Sequence, residues 1–429
     1  MTKKIDNIIN HVLQEIKPNP SEIKDIKKRV DDFTKKINDN IKKQKINAVV
    51  FIGGSFAKGT LIKKQKYDID IFIRFDKDYK KEDISRITEN ILNNIKKPER
   101  VKGSREYFRV YKKDNLFFEI VPVIKVNKPE EAENTTDLSY FHVRYIKNKI
   151  KDKNIKDQIM IAKAFCQYNK CYGAESHIKG FSGYALELLV YYYGNFEKFL
   201  KGILKTKEQK IIDIQNLHKT KRNILMDLNE SKLLSPIILI DPTYKQRNSL
   251  AALSNETLKD FQEIARDFLE NPSLDYFKKR KIDFSNIKEK TKKSKKDFIF
   301  LEAETKKQEG AIAGSKLLKF YSLLNKEIEK EFVIKSKGFE YNEDKKASFY
   351  FVVKPLKEKV IEGPYLQDKE NLKRFKEKHK KVFEKNKKVY AKEETEKDVQ
   401  NFIKNWKKKN SELIKDMSVS SLRIKDKIQ

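Results

Sequence analysis

Between Ile23 and Ile41 the apolar positions Ile23, Ile26, Val30, Phe33, Ile37 and Ile41 recur every three to four residues. That period predicts a long amphipathic helix starting near Ser21, with Glu22 in its first turn. A shorter helix over residues 5–16 precedes it and closes at Lys17-Pro18-Asn19-Pro20. The period then changes. Ala48-Val49-Val50-Phe51-Ile52 reads as a strand ending at Gly53-Gly54-Ser55, and Tyr67–Ile73 alternates as a second strand. Ile84, Ile87, Ile91 and Ile95 share one face of a further helix. Tyr107–Tyr111 and Leu116–Val123 predict a hairpin around Lys113-Asp114-Asn115.

After Asn127 the pattern turns helical. Asn134–Ser139 reads as a turn or cap, and Lys156–Tyr168 as a helix with Ile159, Ala162 and Cys166 on one stripe and Lys163 at its border. Gly180-Phe181-Ser182-Gly183-Tyr184 opens a strongly apolar helix through Tyr193. Ile237–Ile240 is a short strand before Asp241-Pro242-Thr243-Tyr244-Lys245-Gln246-Arg247-Asn248-Ser249, and a helix runs from about Asn255 to Leu269. Lys288–Asp297 reads as a lysine-rich linker and a domain boundary. Beyond it, a strand at Phe298–Leu301, a helix at Gly314–Glu331 and strands at Phe332–Lys335 and Ala347–Val353 suggest a ferredoxin-like or RNA-recognition-like module. Residues 366–412 form two lysine-rich helices flanking Val389-Tyr390, with Trp406 near the end of the second. No aromatic base-reading motif is visible there, so general phosphate contact is the expected role.

The chemistry concentrates where the period is two. Side chains at i and i+2 of a strand share a face, so Asp68 and Asp70 project side by side and repel unless a cation lies between them. Oxygen-only ligands of this kind suit Mg²⁺ held together with substrate phosphates. The Gly-Gly-Ser turn offers N–H groups and a hydroxyl with no Cβ to block a phosphate. Glu119 interrupts the apolar strand Leu116–Val123, where a carboxylate is expensive to bury. It is either an outward charge on an edge strand, which Pro122 favours, or a third metal ligand if that strand lies beside Asp68-Ile69-Asp70; the second is preferred. Phosphates at the turn and metals at the carboxylates describe a nucleotidyl-transfer site.

Composition narrows the partners. Lys and Arg number 96 against 63 Asp and Glu, a formal charge of +33, which with 19 Tyr and 27 Phe suits nucleic acid. A lysine-biased genome producing a solvated basic surface would give the same excess, since lysine is spread along the whole chain. At 429 residues two to four domains are expected. Cys166 and Cys171 form no disulfide framework or zinc spacing, the five histidines do not pair as ligands, and a reducing cytoplasm is the expected compartment. No apolar run approaches membrane-span length and the N-terminus lacks a signal-type apolar region.

Six stretches in order resemble the archaeal-type (class I) CCA-adding enzymes, tRNA nucleotidyltransferases of the polymerase β-like superfamily. GGSFAKGT followed by DIDIFIRF is similar to the family's head signature, and FFEIVPV to the strand of its third carboxylate. TTDLSYFH, YGAESHIKGFSGYALELLVYYYGNF, DPTYKQRNSLAALS and Glu362-Gly363-Pro364 follow, the second of these being the most specific.

The resemblance implies an α+β multidomain protein with a polymerase β-like head (1–145), a helical neck or central domain (146–285) and a tRNA-binding ferredoxin-like body with a helical tail (286–429). It implies template-independent addition of C, C and A to tRNA from CTP and ATP, with the acceptor stem and T-arm region as partner; a homodimer is left open. Asp68, Asp70 and Glu119 would hold two Mg²⁺ ions, one acidifying the primer 3′-hydroxyl and one steadying pyrophosphate. Ser55 and Lys58 would cradle the triphosphate at the turn beside Gly54, His142, Lys163 and Tyr172 would reach it from the neck, and Arg247 would touch the base. An arginine fork can read acceptors shared by C and A while rejecting U and G. From the residues alone, Lys163 reads as a snorkelling lysine, Tyr172 as a core aromatic and His142 as a capped surface residue, so these three roles rest on the resemblance.

Three departures stand out. Lys58 replaces a common arginine, Glu119 an aspartate, and a single His142 a frequent His-His pair. They bear on triphosphate affinity and nucleotide preference. Other functions compatible with the residues are partial CC- or A-adding, a poly(A)-type transferase, or a non-catalytic RNA-binding relative, the last disfavoured because all three carboxylates are present.

Overall fold

The structure is a computed structural model that describes residues 3–64, 66–102, 106–111, 116–279, 283–292, 294, 296–306, 310–341 and 344–425. It forms two compact units, Met1–Arg280 and Lys281–Gln429.

In the first unit, α1 (Lys3–Ile16) and α2 (Pro20–Lys43) lead to β1 (Ala48–Ile52), the short α3 (Gly54–Lys58) and β2 (Tyr67–Phe75). Then come α4 (Lys81–Asn93), β3 (Glu99–Val101), β4 (Tyr107–Tyr111) and β5 (Leu116–Ile124). The strands form one sheet in the order β1-β2-β5-β4-β3. Strand β2 runs parallel to β5, so the second of the two carboxylate-bearing strands is central and not an edge. Ile26, Val30, Phe33 and Ile37 of α2 and Ile84 and Ile91 of α4 cover one face of this sheet, where Phe33 stacks on Phe118 at 4.3 Å. The opposite pleat of β2 and β5 carries the acidic residues. Helix α4 stops at Asn93, before Ile95, and β3 is a strand that the sequence pattern is too short to announce. The turn expected at Lys113-Asp114-Asn115 lies outside the described residues.

A second core of the same unit is helical. It joins α5 (Ser139–Lys149), α6 (Lys153–Tyr168), α7 (Gly183–Tyr193) and α8 (Phe196–Leu204) to α1, whose Ile5, Ile9, Val12 and Ile16 are buried here and not against the head sheet. Strand β6 (Lys210–Ile212), α9 (Lys221–Asp227) and α10 (Glu230–Leu233) precede the hairpin β7 (Ile237–Asp241) and β8 (Tyr244–Asn248), and α11 (Asn255–Glu270) closes the core. The stretch after Asp241 is therefore a strand, not only a loop. Ser182 caps α7 by accepting from the N–H of Ala185, as its position before an apolar run predicts.

The second unit begins with α12 (Phe284–Lys292), β9 (Asp297–Thr305), α13 (Ala311–Glu329), β10 (Phe332–Tyr341) and β11 (Lys346–Pro355). It continues with β12 (Glu358–Tyr365), α14 (Lys369–Lys378), β13 (Val382–Lys385), β14 (Lys388–Glu394), α15 (Val399–Lys409), α16 (Ser411–Asp416) and β15 (Val419–Ile424). Its main sheet is antiparallel in the order β10-β11-β9-β15, with β12-β14-β13 as a separate sheet. Helices α13 and α15 cover one face, where Trp406 is buried and donates to Glu327 at 3.2 Å. The stretch taken as a linker is corrected in part: α12 spans its first half, because Phe284 and Ile287 find Phe298, Phe300 and Tyr350 to pack on.

Candidate active site

Strand pairing sets the centre of the site. The parallel register of β2 and β5 places Asp70 directly opposite Glu119, and Asp68 opposite Phe117. Alternation then turns Asp68, Asp70 and Glu119 away from the core that holds Ile69, Ile71, Phe118 and Ile120. Burial, followed by the charges of Glu119 and Asp68, pushes the Asp70 carboxyl up to about 7. Burial also raises Glu119, against the pull of Arg109. Two acids raised in this way are a place where a cation would be strongly stabilised. Each flanking carboxylate meets a side-chain cation: Lys64 lies 2.8 Å from Asp68, and Arg109 donates to Glu119 at 2.9 Å. Among the described residues no three or more His, Cys, Asp or Glu side chains are gathered closely enough to hold a metal ion in this arrangement. Hard oxygen donors on one open pleat fit divalent ions once Arg109 and Lys64 yield.

The glycine turn is shaped around Asp70. The Gly53 N–H donates to the Asp70 carbonyl at 2.9 Å, and Gly54 takes φ +62°, where α3 begins. A Cβ at Gly54 would fall on Asp70 Oδ2, with Cγ only 2.7 Å away, so glycine is what lets the carboxylate approach. Ser55 follows in the first turn of α3.

Lys58 ends α3, one helical turn beyond the glycines. Its ammonium is buried and donates to Glu187 Oε2 of α7 at 2.6 Å. Lys163 of α6 donates to Glu187 Oε1 at 2.7 Å and to Thr60 Oγ1 at 2.8 Å, while Thr60 donates to Glu187 Oε1 at 2.9 Å. Burial lowers the Lys163 ammonium to about 8. Burial alone would raise Glu187, but Lys163 and Lys58 hold it at about 2. Tyr172 stands beside this group: a Cβ at Gly183 would be 2.8 Å from its hydroxyl and 3.9 Å from Lys163 Cε. Its hydroxyl is pushed up by burial and then by the charges of Glu187 and Asp68.

His142 and Arg247 form a second cluster, around Asp241. His142 Nε2 is 2.9 Å from Asp241 Oδ2, Arg247 donates to the same oxygen at 2.6 Å, and the Tyr184 hydroxyl and Thr243 donate to Oδ1 at 3.1 and 2.7 Å. His142 stacks on Tyr184 at 4.0 Å, and the Lys58 ammonium lies 5.9 Å from the centre of that ring, joining the two clusters. Asp241 is fully buried, which would raise its pKa, but the His142 hydrogen bond and the charges of His142 and Arg247 hold it far below the carboxylate range. His142 is thus a buried side chain, not a surface one. Sequence reasoning missed Glu187, Asp241, Tyr184 and Thr60. The available signal was a lone carboxylate within ALELL and at the end of IILID, the same signal that exposed Glu119.

Comparison with known proteins agrees with this layout. Residues 157–278 match the model of the tRNA nucleotidyltransferase second domain, and residues 3–140 that of the second messenger oligonucleotide or dinucleotide synthetase domain. The chain is 42% identical over 246 residues to a CCA-adding enzyme of Nanoarchaeum equitans, covering 56% of this chain and 60% of that one. It is 33% identical over 273 residues to a CCA-adding enzyme of Saccharolobus islandicus, covering 63% and 61%. The chain thus spans about three fifths of the length of the curated relatives it matches. The Cid1 poly(U) polymerase with Mg 3′-dATP bound superposes with a TM-score of 0.51 at 13% identity, over 65% of this chain and 100% of that one, a likeness of fold. No described helix is long and apolar enough to cross a membrane. Over residues 157–278 the chain thus carries a tRNA nucleotidyltransferase second domain, and over 246 to 273 residues it is similar to archaeal CCA-adding enzymes.

Proposed function

We propose that the protein builds CCA on the 3′ end of tRNA from CTP and ATP, without a nucleic-acid template. The observation that carries this reading is the single pleat bearing Asp68, Asp70 and Glu119, with a cluster of buried cations beside it. We divide the chain into a catalytic head (1–145), a central nucleotide and primer domain (146–285) and a tRNA-binding body and tail (286–429). A ferredoxin-like body is supported by the strand order β10-β11-β9-β15 with α13 and α15 on one face.

Asp68, Asp70 and Glu119 would hold two Mg²⁺ ions, which when bound neutralise the triphosphate and acidify the primer hydroxyl. The chain's own residues do the rest. Gly54 and Ser55 leave room and N–H donors for phosphate oxygens at the mouth of α3. Lys58 and Lys163 add positive charge there, and Tyr172 supplies a hydroxyl that burial keeps protonated. Arg247, fixed by Asp241 through one Nη, keeps its other nitrogens for the edge of the incoming base, with His142 and Tyr184 stacked at its side.

The head's match to a synthetase domain model favours a second reading, nucleotide joining without tRNA, whereas the central domain's match favours tRNA. Labelled CTP and ATP, supplied separately and together with Mg²⁺ and a tRNA lacking its last three nucleotides, separate them. Two C additions followed by one A support the proposal. Nucleotide-only products, or a long homopolymer, refute it.

A further inference from the structure

Glu187 is a fully enclosed charge beside the carboxylate pleat of the first unit, and it has two lysines as partners. It is fully buried in the second turn of α7, a helix whose neighbouring positions Ala185, Leu186, Leu188 and Leu189 are all buried apolar. A carboxylate in such a place is costly unless every oxygen is answered. Both are: Oε2 accepts from Lys58, and Oε1 from Lys163 and Thr60. The contacts span 129 residues to Lys58 and 24 to Lys163, so one carboxylate ties α3 of the head to the central helices α6 and α7.

We propose that Glu187 is the positioning residue of the triphosphate subsite, holding Lys58 and Lys163 together as a preformed pair of cations. This rests on the reading of those lysines as triphosphate contacts. Two ammonium groups packed side by side repel, and neither would stay buried alone. One carboxylate between them leaves the group with a net charge of +1. Each ammonium has three N–H donors. Lys58 commits one of them to this group and Lys163 commits two, so donors remain for phosphate oxygens. Thr60, itself fully buried, completes the ring by accepting from Lys163 and donating to Glu187. The ligand class is therefore a polyphosphate chain. It meets cations already desolvated and oriented, so little ordering has to accompany binding.

The test is binding of inorganic tripolyphosphate and of CTP to the full-length protein, with tRNA binding as the reference. Glu187→Gln keeps the shape and removes the charge. It is expected to weaken tripolyphosphate and CTP by about tenfold or more, the range of a charge-assisted contact, while leaving tRNA affinity unchanged. Coupling supplies a readout that a merely structural role would not move: Glu187→Gln should cost less tripolyphosphate affinity in a Lys58→Met background, where only Lys163 is left to hold, than in the wild type. Should Glu187→Gln fail to fold, Thr60→Val carries the test, with about a threefold loss of tripolyphosphate binding expected from one missing hydroxyl. Unchanged tripolyphosphate affinity in either folded variant overturns the inference, as does a parallel loss of tRNA affinity. A wild type that binds tRNA but neither CTP nor tripolyphosphate instead sinks the functional reading on which it rests.

Discussion

Replacing Gly54 by alanine perturbs the carboxylate pleat without touching a carboxylate. Gly54 has φ +62°, and an L-residue held there costs about 1–2 kcal/mol. The new methyl would fall on Asp70 Oδ2, with Asp70 Cγ at 2.7 Å and Cβ at 3.1 Å, so the side chain must rotate away. An off-rotamer carboxylate adds roughly 0.5–1.5 kcal/mol. The sum, about 1.5–3.5 kcal/mol, corresponds to a fall in melting temperature of roughly 3–14 °C for a unit of this size. Displacing a reacting group by about an ångström costs on the order of 100-fold in rate. Gly194→Ala is the matched control, since it has φ +89° at the end of α7 and nothing within 4 Å of the added carbon. Thermal unfolding and single-turnover CMP incorporation, measured on both, decide the matter. Both variants should melt early, and only Gly54→Ala should lose incorporation. Wild-type turnover in Gly54→Ala, or an equal loss in Gly194→Ala, refutes the reasoning.

Other outcomes follow from the same geometry. Asp68→Asn and Glu119→Gln should each lower incorporation by on the order of 1,000-fold or more while filter binding finds tRNA affinity unchanged. Asp241→Asn removes the charge that His142 and Arg247 share, and should cost on the order of 3–5 kcal/mol in urea unfolding, as for a broken buried ion pair. Because burial brings Lys163 down to about 8, its charged form prevails below that pH, and the nucleotide KM should rise as pH passes through it. Glu187 titrates below its unfolded value, at about 2 against 4.5, so its contribution is complete above pH 4.5 and disappears as pH falls toward 2. Acid unfolding of the wild type should accordingly show on the order of 3 kcal/mol of pH dependence there that Glu187→Gln lacks.

The legible parts of this chain are those whose chemistry is local. Six apolar positions at helical spacing announce α2, and alternation alone places Asp68 and Asp70 on one pleat, because both facts live within ten or twenty residues. Glu119 stood out for its chemical cost in an apolar strand, and the register of β2 with β5 brings it opposite Asp70. Glu187 and Asp241 carry the same cost and passed unnoticed, since their partners lie 129 and 99 residues away in sequence and only the fold shows them. Lys58 was expected at the glycine turn, and its contact with Glu187, across 129 residues, is visible only in the fold. Short strands such as β3 and β6 have three residues each, too few for a period to show. The lysine run after Phe284 hides its apolar stripe behind its charge, which is why α12 resembled a linker.

The most direct test reads the 3′-terminal sequence of a tRNA lacking CCA after incubation with all four nucleotides, wild type beside Asp70→Asn. The account predicts C, C and A in that order and then arrest for the wild type, with no extension by Asp70→Asn although it still binds the tRNA. Extension by Asp70→Asn, or wild-type products ending in U, G or a homopolymer run, would contradict it.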